Sequence, residues 1–159
     1  MPLNDEELMA LAATEAERGV MLGHGGPFGA VVSQGGYVVA LGHNTVLSDN
    51  DPTCHAEINA IRGAAAALGT WNLEGCELHT SCEPCPMCLS AAMWAGIRTV
   101  RYGATSEDAA AAGFGDGRMY EHIRSNGREG IPLVQSQVGR DRCLQAFRDW
   151  MAKEDRVQY

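Results

Sequence analysis

Two short stretches, "CHAE" at residues 54–57 and "PCPMC" at 84–88, put metal-binding and proton-carrying side chains at the starts of two helices. The fold has to bring those two starts together. Cys85 and Cys88 lie three residues apart, which sets both sulfurs on one face of a first helical turn, close enough to bind one ion. His55 can supply a third donor from the start of the other helix. One imidazole and two thiolates leave a fourth position for water, the open arrangement of a catalytic zinc site. The positive ends of both helix dipoles favour thiolate and negative charge at that point. Glu57 follows His55 by two residues, a spacing that does not share a helical face, yet near a helix start both can reach a group lying off the end. A carboxylate so placed suits moving protons rather than binding the metal.

The stretch "TSCEPCPMC", residues 80–88, contains a second overlapping pair, Cys82 with Cys85. A redox role for it needs a thioredoxin-like context, and neither an aromatic residue before the first cysteine nor the matching strand order is present. A structural zinc could take Cys82 as its fourth ligand. Cys82 and Glu83 otherwise fall at the end of a strand, where they shape the pocket floor. Cys54, Cys76 and Cys143 read as small core residues.

Residues 4 to 22 place Leu8, Leu11, Ala12, Ala16 and Val20 at helical spacing, with Asn4 or Asp5 as cap. Phe28 to Ser33 and Tyr37 to Leu41 are β-rich runs around Gln34-Gly35-Gly36, a hairpin signal. A helix is expected from about Thr53 to Leu68, a strand at "CELHT", a helix at "PMCLSAAMWAG" with Pro86 in its first turn, and a strand at "IRTVRYG". "TSEDAAAAGFGDGRMYEHIRS" reads as two helices around a glycine-rich loop, "IPLVQSQV" as a last strand, and "DRCLQAFRDWMAKEDRVQY" as a C-terminal helix and tail. Strands alternating with helices indicate a three-layer α/β/α domain around a mixed sheet. The chain of 159 residues suits a single domain, and no linker interrupts residues 1–159. A net charge of −8, with Lys153 the only lysine, disfavours nucleic acid and anionic membrane as partners. The N-terminus lacks the basic start and apolar run of a signal peptide, and no stretch reaches a membrane span, so a cytoplasmic protein is expected.

The pattern His55-Ala56-Glu57, twenty-six intervening residues, then Pro84-Cys85-Pro86-Met87-Cys88 resembles the signature of the zinc deaminases. The resemblance to the cytidine-deaminase-like superfamily covers nearly the whole chain. It implies a five-stranded mixed sheet flanked by helices, one zinc ion per subunit, and hydrolytic removal of an amino group from a nucleobase. Within the superfamily, "DPTCHAEINAIR", "TSCEPCPMC", "EDAAAAGFGDG", "MYEHI" and a terminal tyrosine are similar to bacterial guanine deaminases. That branch implies a free purine base as substrate and a homodimer that can exchange C-terminal segments.

By matching positions the resemblance implies that Phe28 borders the ring, Asn44 hydrogen-bonds it and Trp94 walls the pocket. It also makes Asp116 a second catalytic carboxylate beside Glu57 and Tyr159 a closure from the partner subunit; separately, the helix starts at Ala56 and Cys85 offer backbone N–H donors to the ring and its oxygen. By itself Phe28 reads equally well as core, Trp94 reads as core before pocket, Asn44 as a turn residue and Asp116 as loop punctuation. The family's loop often carries two acids, "GFDD", where this chain has Gly115 before Asp116. An aminopterin, an aminotriazine, cytosine or cytidine, or tRNA adenosine are the alternative substrates. A zinc-stabilised binding module without catalysis is the alternative outside enzymes.

Overall fold

A computed structural model describes residues 1–158. The chain divides into two compact units, Met1–Gly117 and a second beginning at Arg118. Tyr159 lies outside the described residues.

The first unit opens with α1 (Asp5–Met21), capped by Asn4. Asn4 Oδ1 accepts from the Glu7 amide at 3.0 Å and Glu7 Oε2 from the Asn4 amide at 2.9 Å, a reciprocal capping box. There follow β1 (Gly29–Gln34), β2 (Tyr37–His43), a short α2 (Val46–Asp49), α3 (Ala56–Leu68), β3 (Cys76–Cys82), α4 (Pro86–Trp94), β4 (Thr99–Ala104) and α5 (Ser106–Ala111). The β1–β2 turn uses Gly35 and Gly36 at φ +57° and +81°, a conformation that side-chain-bearing residues rarely adopt.

The strands form one mixed sheet in the order β2-β1-β3-β4. β1 runs antiparallel to β2 and β3, and β3 runs parallel to β4. Central β1 is buried on both faces. Its alternation sends Val31 toward Leu8 and Ala12 of α1, and Ala30 and Val32 toward a core of Ala56, Ala60, Ala64, Leu78 and Ala92 under α3 and α4. The unit is thus an α/β/α sandwich. Alanines along α3 let it lie close on β2: a Cβ at Gly42 would sit 2.6 Å from the Ala56 carbonyl oxygen and 2.7 Å from the Ala60 nitrogen.

The second unit contains the greater part of α6 (Gly117–Arg124) and α7 (Arg140–Ala152). Arg118 donates to the Gly130 carbonyl at 2.8 Å, and His122 Nδ1 lies 2.7 Å from the Ile131 carbonyl, so these two side chains tie α6 to the turn after it.

Three sequence expectations are corrected. The sheet has four strands among the described residues, because residues 131–138 form no strand. Alternating residues make a strand only where a neighbour completes its ladder, and here Pro132 lacks a donor while Leu133 donates locally to Ile131. Cys143 is exposed rather than core, whereas Cys54 and Cys76 are buried. Val20 of α1, assigned to the apolar stripe, is 51% exposed.

Candidate active site

Both helix starts sit at strand ends on one side of the sheet. β2 and the α2 turn lead into α3, and β3 leads into α4. His55 is the N-cap of α3 and Cys85 the N-cap of α4, both in extended backbone conformation and neither making a side-chain capping bond. These residue types cap poorly, and here their side chains turn to each other instead. His55 Nδ1 lies 3.6 Å from Cys85 Sγ and 3.5 Å from Cys88 Sγ.

In a tetrahedral zinc site, bond lengths of roughly 2.3 Å to sulfur and 2.05 Å to nitrogen put donor sulfur and nitrogen about 3.6 Å apart. The three donor atoms, all within 4.8 Å of one another, therefore fit zinc in spacing and in chemical type. Cys82 is not among them. It is buried at the end of β3, its Sγ 3.6 Å from the Thr105 carbonyl.

The three donors are electrostatically coupled to one another. Cys85 is pulled down to about 4, chiefly by hydrogen bonding from Cys88, against burial and with help from His55. Cys88 is pushed up by the same partnership and by burial. His55 is raised, chiefly by its bond to Cys85.

Glu57, 6% exposed in the first turn of α3, is raised mainly by burial. Thr80 Oγ1 lies 3.4 Å from Glu57 Oε1 and 3.1 Å from the Cys82 carbonyl, so one hydroxyl hydrogen serves two acceptors. The sequence reading missed Thr80. Its signal is the alternation of β3, which sends Thr80 to the same face as Leu78, under α3. Asp116 is partly buried, and its carboxyl is raised by burial first and then by the charges of Cys85 and Glu83.

Asn44 is 5% exposed, with Oδ1 accepting from the Gly26 and Val46 amides at 3.2 and 3.1 Å. Phe28 meets Phe114 edge-on, ring centroids 5.1 Å apart; Phe114, in the loop just before Asp116, was also missed. Ala56 is fully buried. Trp94 ends α4 with 69% of its surface exposed, and the proposed closure by Tyr159 falls outside the described residues.

The family described as cytidine and deoxycytidylate deaminase zinc-binding region matches residues 2–104. The chain is 44% identical to guanine deaminase of Bacillus subtilis (strain 168) over 99% of its own length and 100% of that protein's. The X-ray structure of guanine deaminase from Bacillus subtilis superposes with a TM-score of 0.89 at 43% identity, covering 99% of each chain. A tRNA-specific adenosine deaminase of the same species is 39% identical over 63% of this chain and 62% of its own length. With the His–Cys–Cys donor set, the neighbouring buried glutamate and this match, the chain belongs to the zinc-binding cytidine and deoxycytidylate deaminase family, where it groups with guanine deaminase.

Proposed function

We propose that the protein hydrolyses guanine to xanthine and ammonia, using one zinc ion per subunit held by His55, Cys85 and Cys88. The observation that carries this reading is the buried Glu57 next to three donors at tetrahedral zinc spacing. Guanine is favoured because the similarity to guanine deaminase runs through the C-terminal segment, whereas that to tRNA-specific adenosine deaminase spans 63% of the chain. The acidic surface with a single lysine supports a small base over a tRNA.

Zinc bound there supplies Lewis acidity, lowering the pKa of water from about 15.7 to about 7. Glu57 takes the proton of the attacking water and carries it to the ring nitrogen beside C2. A C2–O bond forms, and the C2–N bond to the exocyclic amino group breaks. Glu57, with Asp116, then takes the remaining proton of the new C2–OH group and passes it to that amino group, which leaves as ammonia while C2 becomes a carbonyl. The raised carboxyls of both residues suit groups that must hold a proton between steps. Asn44 fixes the ring edge, Phe28 and Trp94 border its faces, and the Ala56 amide donates from the start of α3.

In the same reading, residues 1–159 act as one deaminase domain in a cytoplasmic homodimer, with Tyr159 of the partner subunit closing the pocket. The test is ammonia release by zinc-loaded protein from a panel of free bases, nucleosides and a tRNA anticodon stem, with products read in the ultraviolet. Conversion of guanine to xanthine is expected. Preference for cytosine, an aminopterin or tRNA adenosine, or no ammonia from any member, overturns the proposal.

A further inference from the structure

Asn44 and Phe28 owe their places to one loop, residues 23–28. The amides of Gly26 and Val46 engage Asn44 Oδ1, which sets the orientation of the carboxamide and leaves its NH2 to donate. A Cβ on Gly25 would run into that same oxygen, so the loop backbone lies directly on Asn44. The Asn44 amide in turn donates to the Phe28 carbonyl at 3.0 Å.

The loop itself is tied down through His24. Its carbonyl accepts from the Leu47 and Ser48 amides, both at 3.0 Å. Its Nδ1 lies 2.9 Å from His43 Nε2, with the two rings 26° from parallel. His43 Nδ1 lies 2.8 Å from Glu15 Oε2 on α1. The side chains of Glu15 and His43 are 10% and 13% exposed, and Gly19 of α1 leaves room for the His43 ring, 3.0 Å from where a Cβ would stand. A carboxylate only accepts, so His43 Nδ1 carries a hydrogen, and one further hydrogen joins the two imidazoles. The His43 ring is thereby fixed at both nitrogens, one residue before Asn44. Its carbonyl is held too, by Asn59 of α3 at 2.9 Å.

We infer that Glu15, His43 and His24 form a positioning chain that sets Asn44 and Phe28 for the purine ring without touching it. The inference rests on the proposed contacts of Asn44 and Phe28 with the base. The far side of the chain faces an open hollow of about 360 Å³ lined by Glu15, Arg18, His43 and Asp49, with none of the zinc donors among its residues. Disturbing the chain should therefore change how the base is held and leave the metal and Glu57 alone.

In zinc-loaded protein, Glu15→Ala should raise KM for guanine about tenfold and keep kcat within about twofold, with zinc content unchanged. Glu15→Gln keeps an oxygen that accepts from His43 and should restore KM. Glu15→Ala combined with His24→Ala should be no worse than the poorer single variant, since a broken chain cannot be broken twice. An unchanged KM in Glu15→Ala, additive effects, or Glu15→Gln as impaired as Glu15→Ala overturns the inference. Where Glu15→Ala fails to fold, His24→Ala carries the same KM measurement. Should wild-type protein turn over another base instead of guanine, the functional reading falls, and the KM comparison on that base decides the chain. Should it turn over none, imidazole ¹⁵N shifts of the zinc-loaded protein decide it. His24 and His43 are expected to shift together in Glu15→Ala, and an unmoved His24 overturns the chain.

Discussion

Glu57 is buried beside the three donors, with hydrogen bonds from its own backbone and the Cys88 side chain partly offsetting the cost of burial. Burial penalises its charge, and Thr80 offers it a hydroxyl shared with a backbone carbonyl. A glutamine fills the same space, so Glu57→Gln should bind zinc as the wild type does and lose roughly 10²- to 10⁴-fold in kcat, checked by metal content and steady-state rates together. The cysteines separate in the same way. Cys88→Ala should copurify without zinc and Cys82→Ala with a full complement by elemental analysis, because Cys82 Sγ points to the Thr105 carbonyl. That Cys85 and Cys88 share one turn was readable from their spacing, whereas the approach of His55 to them depends on the fold. Asn44 and Asp116 needed the family pattern, for an asparagine after a strand and an acid between glycines carry no periodic signal. The Glu15–His43–His24 chain could not be read at all: its members come from a helix, a strand and a loop that only the folded sheet brings together.

At the scale of elements, the local rules held where a pattern and a cap agreed and failed where side chains competed with the backbone. Helix α3 was expected from Thr53 and begins at Ala56, because Asp51 accepts from both the amide and the hydroxyl of Thr53, at 2.7 Å each. That turn holds the chain extended at His55 and so frees its ring for the metal. The missing fifth strand has the opposite cause: a strand-like sequence without a ladder partner. The four-residue α2 is too short to show a period.

Two element-level changes probe the packing. Gly42→Ala would press β2 into the backbone of α3 and should cost about 1–3 kcal/mol in urea unfolding. On the other face of the sheet, fully buried His79 donates from Nε2 to Asp5 at 3.1 Å, while its Nδ1 has no partner among the described residues. Asp5 also pairs with Arg101 at 2.8 Å, and its carboxyl is held below 3.8, first by the His79 bond. A depressed carboxyl contributes stability above its unfolded pKa and loses it as pH falls through the lower folded value. Asp5→Ala should therefore melt lower than the wild type at pH 7, and the gap should persist to about pH 4 and close only below that.

Over the whole molecule, the candidate metal donors His55, Cys85 and Cys88, with Glu57 and Asp116, all belong to Met1–Gly117. No helix among the described residues is long and apolar enough to cross a membrane. A ligand that binds only the folded state stabilises by mass action, so a strong chelator should lower the melting temperature, and added zinc should restore it together with activity. Loss of activity with no change in melting would separate the metal from the fold and count against this coupling. The two helix starts give that coupling a further meaning. His55 and Cys85 are 30 residues apart in sequence, and an ion held by both closes the intervening α3–β3 crossover into a loop. A covalent link across a loop of that size restricts the unfolded chain by about 3–4 kcal/mol. When bound, zinc is therefore also a removable staple across the crossover, and how far a given sample is stapled depends on its history of metal exposure.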